Sequence, residues 1–229
     1  MHSWTYRHRR AAEGATGAQT KGLVLAGGAR YDLHTWLIDT LYFRGQGRQL
    51  RTRTLQLAEL QPGEQVLDVG CGTGTLAIEA ARRVGEMGRV VGIDPGTEQI
   101  ARAQEKAARR SVPVTFEVGV IEQLAFPDAT VDVVLSTLMF HHLPAPLKRH
   151  GLAEIARVLK PGGRLVIADF KRQHERKGLA ARFHAGGSSE QELAALVAEA
   201  GFVHVETEEL RPIRFSAFPG ASLVTAKKG

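Results

Sequence analysis

The sequence predicts an α/β fold: a mixed sheet of about seven strands with helices on both faces. Three observations carry this. From residue 63 onward, short apolar runs alternate with helical stretches, the pattern of a parallel sheet covered on both sides. The first apolar run feeds a glycine-rich turn that opens a helix, and the last two strand-like runs have no helix between them. A closing hairpin of that kind turns the last strand antiparallel and makes the sheet mixed.

Residues 1–30, rich in Gly, Ala, Thr and Arg, read as a flexible basic arm. Residues 31–62 read as a cap of two amphipathic helices, 35–43 and 49–60, punctuated by Gly45 and Gly47 and ended by Pro62-Gly63. The core, 63–229, begins with a strand at 65–69 and a helix at 74–84. Strand 89–93 and helix 97–110 follow, then strands 114–118 and 131–135. Helix 146–159, strand 164–168 and helix 189–200, capped by Ser188 or Ser189, precede the closing strands 203–209 and 222–226. The stretch 171–188, with His174, His184 and Gly186-Gly187, reads as a lid loop.

At 229 residues, 43% hydrophobic and 24% charged, the composition is that of a soluble globular protein. No apolar run approaches the roughly 20 residues that span a bilayer, and the basic start lacks the apolar stretch of a secretory signal. An Arg-rich, acid-poor opening is also the composition of a transit peptide, but a plain basic arm and a cytoplasmic location are the expectation. The single cysteine, Cys71, leaves no internal disulfide and fits a reducing compartment. Nearly all of the net charge of +6 falls in residues 1–60, where nine Arg or Lys face four acids. Such an arm is either a solvated tail or a collector of anionic partners.

The turn Asp68-Val69-Gly70-Cys71-Gly72-Thr73-Gly74 is the main chemical signal. Glycines there let the backbone turn sharply and let a ligand approach closely. The spacing is Gly-x-Gly-x-Gly, unlike the Gly-x-Gly-x-x-Gly of dinucleotide sites, and Asp68 precedes it by two residues. A carboxylate there repels pyrophosphate but attracts an ammonium group, directly or through water. Capping of the following helix is the other role open to Asp68. Asp94 ends the second strand, 24 residues after Gly70, where an acid can accept both hydroxyls of a ribose; a surface turn acid is the alternative.

Val66 to Gly74 resembles the first motif of class I S-adenosylmethionine-dependent methyltransferases, a Rossmann-like fold. The resemblance continues through Gly92-Ile93-Asp94-Pro95, Phe126-Pro127-Asp128, Val131-Asp132-Val133-Val134 and Arg157-Val158-Leu159-Lys160-Pro161-Gly162-Gly163. Within the class it is similar to the small-molecule branch that includes the ubiquinone and menaquinone biosynthesis methyltransferases. It spans residues 31–168 and implies S-adenosylmethionine as donor and S-adenosylhomocysteine as product. By resemblance Gly70, Cys71, Gly72 and Gly74 line the methionine and ribose, Asp94 holds the ribose, and Pro95 and Gln99 border the adenosine. Gly119-Val120-Ile121-Glu122 stands where many relatives carry Gly-Asp-Ala-Glu, whose aspartate reads the adenine. Val120 cannot, so the backbone of Val120 and Ile121 is the expected substitute. Tyr31-Asp32 resembles a Tyr-Asp pair whose tyrosine closes over the cofactor; a packing role for Tyr31 is equally open.

The fourth strand runs out through Ser136 to His142, and ligands in open α/β sheets sit beyond the carboxyl ends of strands. Ser136 is therefore placed beside the donor, and His141 is a candidate general base. Both histidines can instead cap or pack under the next helix. Adjacent histidines without a third ligand do not make a metal site. Asp169, ending the fifth strand, either touches substrate or ties a loop. No Asn/Asp-Pro-Pro-aromatic tetrapeptide follows the fourth strand, which argues against amino methylation of nucleobases or glutamine. The expected reaction is methyl transfer to a small, partly apolar metabolite. RNA methylation through the basic arm is disfavoured, because the arm lacks interleaved aromatics. A non-catalytic, cofactor-binding regulatory partner is the third alternative.

Overall fold

The computed structural model describes residues 36–171 and 189–229. The basic arm, Tyr31-Asp32 and the expected lid loop lie outside the described residues. Seven strands form one sheet in the order β3-β2-β1-β4-β5-β7-β6. They are β1 (Gln65–Val69), β2 (Arg89–Asp94), β3 (Thr115–Val118), β4 (Val131–Thr137), β5 (Leu159–Phe170), β6 (Phe202–Leu210) and β7 (Ala221–Lys228). β7 runs antiparallel to both β5 and β6, and β1 to β5 pair in parallel. The expected mixed sheet and closing hairpin are thus present.

The helices are α1 (Gln46–Leu57), α2 (Thr75–Val84), α3 (Thr97–Arg109), α4 (Ala145–Val158) and α5 (Glu190–Glu199). Two apolar cores, one on each face, follow from strands that alternate their side chains across the sheet. Leu67, Val134, Leu165 and Ile167 face α4 and α5, while Val66, Val133, Leu135 and Val166 face α2 and α3. Ser189 caps α5 in a reciprocal box with Glu192. No helix among the described residues is long and apolar enough to cross a membrane.

Of the boundaries that differ from the sequence reading, two have a clear local cause. Residues 36–43 contain a short π-helical turn, Ile38–Tyr42, and α1 starts at Gln46 rather than 49. Asp39 explains the earlier start: its carboxylate accepts the backbone N–H of Gly47 (2.6 Å) and Arg48 (3.0 Å), two of the donors a helix start leaves open. β5 begins at Leu159, because the Lys160-Pro161-Gly162-Gly163 turn rejoins β4 through a bulge. A Cβ on Gly163 would stand 2.8 Å from the Lys160 carbonyl and 3.1 Å from that of Asp132. That close approach is why the turn needs glycine.

Candidate functional site

The carboxyl ends of β1, β2 and β4 meet around the glycine turn. Gly70 and Cys71 both donate their N–H to the Ile93 carbonyl at 2.9 Å, which docks the turn on β2. Gly70, Gly72 and Gly74 all have positive φ, at 74°, 51° and 75°. Their surroundings differ. A Cβ on Gly70 would meet Met139 at 2.3 Å, and one on Gly74 would meet Phe116 at 2.4 Å, whereas Gly72 faces open space. Gly72 is the one of the three whose face is open.

Asp68 is buried under this turn. The backbone N–H of Ala77, in the first turn of α2, bonds its carboxylate, so part of its role is to cap that helix. Among the described residues its Oδ2 finds no partner. Burial, and then the charge of Asp94, push its carboxyl up to about 7. Asp94 is half-buried and splits its oxygens: Oδ2 accepts Gly72 N–H at 2.9 Å and Oδ1 accepts Gly96 N–H at 2.8 Å. Burial raises Asp94 as well, against those two bonds. Each oxygen keeps a further lone pair for a hydroxyl.

The remaining sequence candidates fall into two groups. Cys71 turns inward: a Cβ on Gly92 would stand 3.0 Å from its Sγ, and burial holds the thiol well above its usual range, so it is neutral filling. Ser136 is buried and donates from Oγ to the Val69 carbonyl at 3.0 Å, bracing β4 against β1. Ile121 packs inward beside Gly151. Pro95, Gln99 and Val120 gather beside Asp94, where the Gly119 N–H donates to the Asp94 carbonyl at 3.1 Å. Tyr31 lies outside the described residues.

The orphaned side-chain atoms mark out this crevice. Besides Asp68 Oδ2, the buried atoms without partners among the described residues include both polar atoms of Gln99, Glu122 Oε2 and Thr137 Oγ1. Asp68 lies in β1, Gln99 in the first turn of α3, Glu122 after β3 and Thr137 at the end of β4, whereas Arg51 Nε and Ser222 Oγ, also without partners among the described residues, lie on α1 and β7. Unmatched buried polar groups are rare in native proteins. Leu138, next to Thr137, has φ of 57°, a strained value for a branched residue.

At the ends of β4 and β5 a second constellation forms. His141 Nδ1 lies 2.5 Å from Asp169 Oδ1, and both side chains are buried. A carboxylate only accepts, so the pair assigns the proton to Nδ1 and leaves Nε2 as the basic nitrogen. The Phe170 N–H also donates to Asp169 Oδ1, at 2.8 Å, which fixes the carboxylate. The His142 ring lies 3.8 Å from that of His141 and is pushed down to about 4, chiefly by burial and then by its neighbour. Beside the dyad stand Phe43, Phe170 and Phe218, edge to face with centroids 5.4 to 6.2 Å apart. Sequence reading named neither this aromatic trio nor the His141–Asp169 pairing. The position of both residues at the ends of adjacent strands was the available signal.

Residues 66–163 match a methyltransferase domain family. This stretch of the chain is therefore similar to methyltransferase domains. It is 34% identical over 160 residues to 27-O-demethylrifamycin SV methyltransferase of Amycolatopsis mediterranei, covering 62% of this chain and 57% of that protein. It is 34% identical over 149 residues to the ubiquinone/menaquinone biosynthesis C-methyltransferase of Geobacter sulfurreducens, covering 64% and 56%. The chain therefore spans little more than half the length of these two relatives. A SAM dependent methyltransferase from Aquifex aeolicus superposes with a TM-score of 0.65 at 28% identity, over 78% of this chain and 89% of that one. Arg157, in the last motif that carries the resemblance, is structural. Arg157 donates to the Leu124 and Phe126 carbonyls and to Glu154 and Asp128, clamping the loop before β4.

Proposed function

We propose that this chain is an enzyme that transfers a methyl group from S-adenosylmethionine to a small, partly apolar metabolite in the cytoplasm, by direct displacement. The observation that carries the proposal is the buried Asp68 carboxylate beside Asp94, under a glycine turn with one open glycine; Asp68 Oδ2 has no partner among the described residues. A buried acid raised by desolvation and by the neighbouring Asp94 suits a ligand bearing an ammonium group, and Asp94 retains lone pairs for a ribose diol. A dinucleotide would set its pyrophosphate against both charges.

The donor supplies an activated methyl on sulfonium; the protein's part is to align the acceptor and keep water out. On this reading His141 Nε2 takes the acceptor's proton, with Asp169 holding the ring and stabilising the imidazolium. The Phe43, Phe170 and Phe218 cluster supplies an apolar wall beside it, which favours a partly apolar acceptor. The two curated relatives above methylate an oxygen and a carbon, by their names, so the acceptor atom is open to either. RNA methylation would have to rest on the arm, outside the described residues. A purely regulatory role would leave the buried dyad without a task.

Isothermal titration with S-adenosylmethionine tests the proposal. Saturable binding below millimolar concentration is expected, and no heat at millimolar ligand would refute it.

A further inference from the structure

Gln99 is the third residue of α3 and only 2% exposed. Among the described residues neither its Nε2 nor its Oε1 has a hydrogen-bond partner. A buried carboxamide with both ends unmatched is costly, and a leucine or methionine would fill the same space without that cost. Such a group therefore calls for a ligand that both donates and accepts.

Its position says which part of a ligand. A Cβ built on Gly96 would stand 2.4 Å from Gln99 Oε1 and 3.1 Å from Asp94 Oδ1. The carboxamide thus adjoins the carboxylate assigned to the ribose. On the other side, the bond from Gly119 N–H to the Asp94 carbonyl draws the turn after β3 alongside. That turn brings Val120, with no polar side-chain atom, and a Val120 carbonyl engaged by the Gln123 N–H at 3.4 Å. The nearby Glu122 carboxylate can only accept when ionised. Gln99 is the neutral group here that offers a donor beside an acceptor.

We propose that Gln99 reads the adenine of the donor: Oε1 accepts from the 6-amino group and Nε2 donates to the neighbouring ring nitrogen. Adenine presents that donor–acceptor pair, and a carboxamide matches it in a bidentate way. Gln99 then does the work that Val120 cannot, and the backbone of residues 120 and 121 becomes secondary. The inference rests on the donor assignment above and deepens it.

The test is calorimetric and needs no acceptor. Wild-type protein is titrated with S-adenosylhomocysteine and with its 6-deamino analogue, in which purine replaces adenine. The wild type is expected to prefer the adenine ligand by about tenfold or more. In Gln99→Met the adenine ligand is expected to lose about tenfold in affinity, and the two ligands to bind alike. Equal affinities in the wild type, or a preference that survives in Gln99→Met, would overturn the proposal; survival would return adenine reading to the backbone after β3. Gln99→Met removes two unmatched polar atoms, so an unchanged or higher melting temperature is expected without ligand. Should it fail to fold, Gln99→Leu carries the same two expectations, loss of affinity for the adenine ligand and loss of the preference, and a preference retained there would overturn the proposal. Failure of the wild type to bind S-adenosylhomocysteine at all would overturn the donor assignment itself.

Discussion

Asp68 has one oxygen committed to the α2 amide and the other to nothing among the described residues, while Asp94 spends both on glycine amides. The two acids therefore differ in what a ligand can change. For Asp68 the folded carboxyl lies near 7, against 3.8 when unfolded. Folding then holds a proton that the unfolded chain releases, so ligand-free stability falls as pH rises between those values. A bound ammonium reverses the preference, because it favours the carboxylate. Affinity for S-adenosylmethionine is expected to drop about tenfold per pH unit below 7 and to level off above it. Asp68→Asn should bind more weakly and lose the slope; titration from pH 5.5 to 8.5 checks this, and a slope retained in the variant would contradict it. The left-handed turn at Gly70, Gly72 and Gly74 and the place of Asp94 at the end of β2 were legible in the sequence, because their spacing is local and the turn's backbone conformation demands glycine. Gln99 was legible only as a neighbour of the adenosine. Its unmatched amide is a tertiary fact, created by what packs over it.

The strands and helices were largely readable from apolar periodicity, and the departures have local causes. Asp39 starts α1 early by taking two of its open amides, a bond across an irregular turn that periodicity does not encode. β5 extends back to Leu159 because Lys160 pairs with Asp132 at 2.6 Å and holds the Pro161-Gly162-Gly163 bulge on β4. The ends of β4 and β5 matter most for chemistry. Parallel pairing runs as far as Thr137 with Ala168, which brings the residues just beyond, His141 and Asp169, to hydrogen-bond distance. A chain read in one dimension places them 28 residues apart. In the proposed reaction a phenolic or enolic acceptor must lose a proton. His141→Ala and Asp169→Asn are each expected to lower its turnover by about 10²–10⁴-fold, with donor affinity little changed. Radiolabelled methyl transfer to such an acceptor measures this. Undiminished turnover in His141→Ala would remove the histidine as base.

At the scale of the molecule, the sheet divides the labour. The crevice proposed for the donor lies at the β1, β2 and β3 side, the dyad at β4 and β5, and α1 closes the β5–β7 side. Gln46 fastens that closure, donating to the Arg211 carbonyl (2.9 Å) and accepting from Ile213 N–H (3.2 Å). Arg53 adds a two-pronged pair with Glu208. Phe43, carried on the segment before α1, reaches across to Phe170 and Phe218, so the cap contributes directly to the apolar wall. None of this was visible from the amphipathic pattern of residues 31–62, which says that a face is buried but not against what. The residues proposed to hold the donor lie within the matched stretch, residues 66–163. The apolar wall draws on both flanks of it.

The central claim is that the crevice between the glycine turn and Asp94 holds S-adenosylmethionine by its ribose and ammonium. Its most direct test is the dissociation constant of S-adenosylmethionine for the wild type and Asp94→Ala, by isothermal titration at pH 8. Loss of about 10²-fold or more in the variant, with the fold intact by circular dichroism, is the expected result. Equal affinity in the two proteins would contradict it.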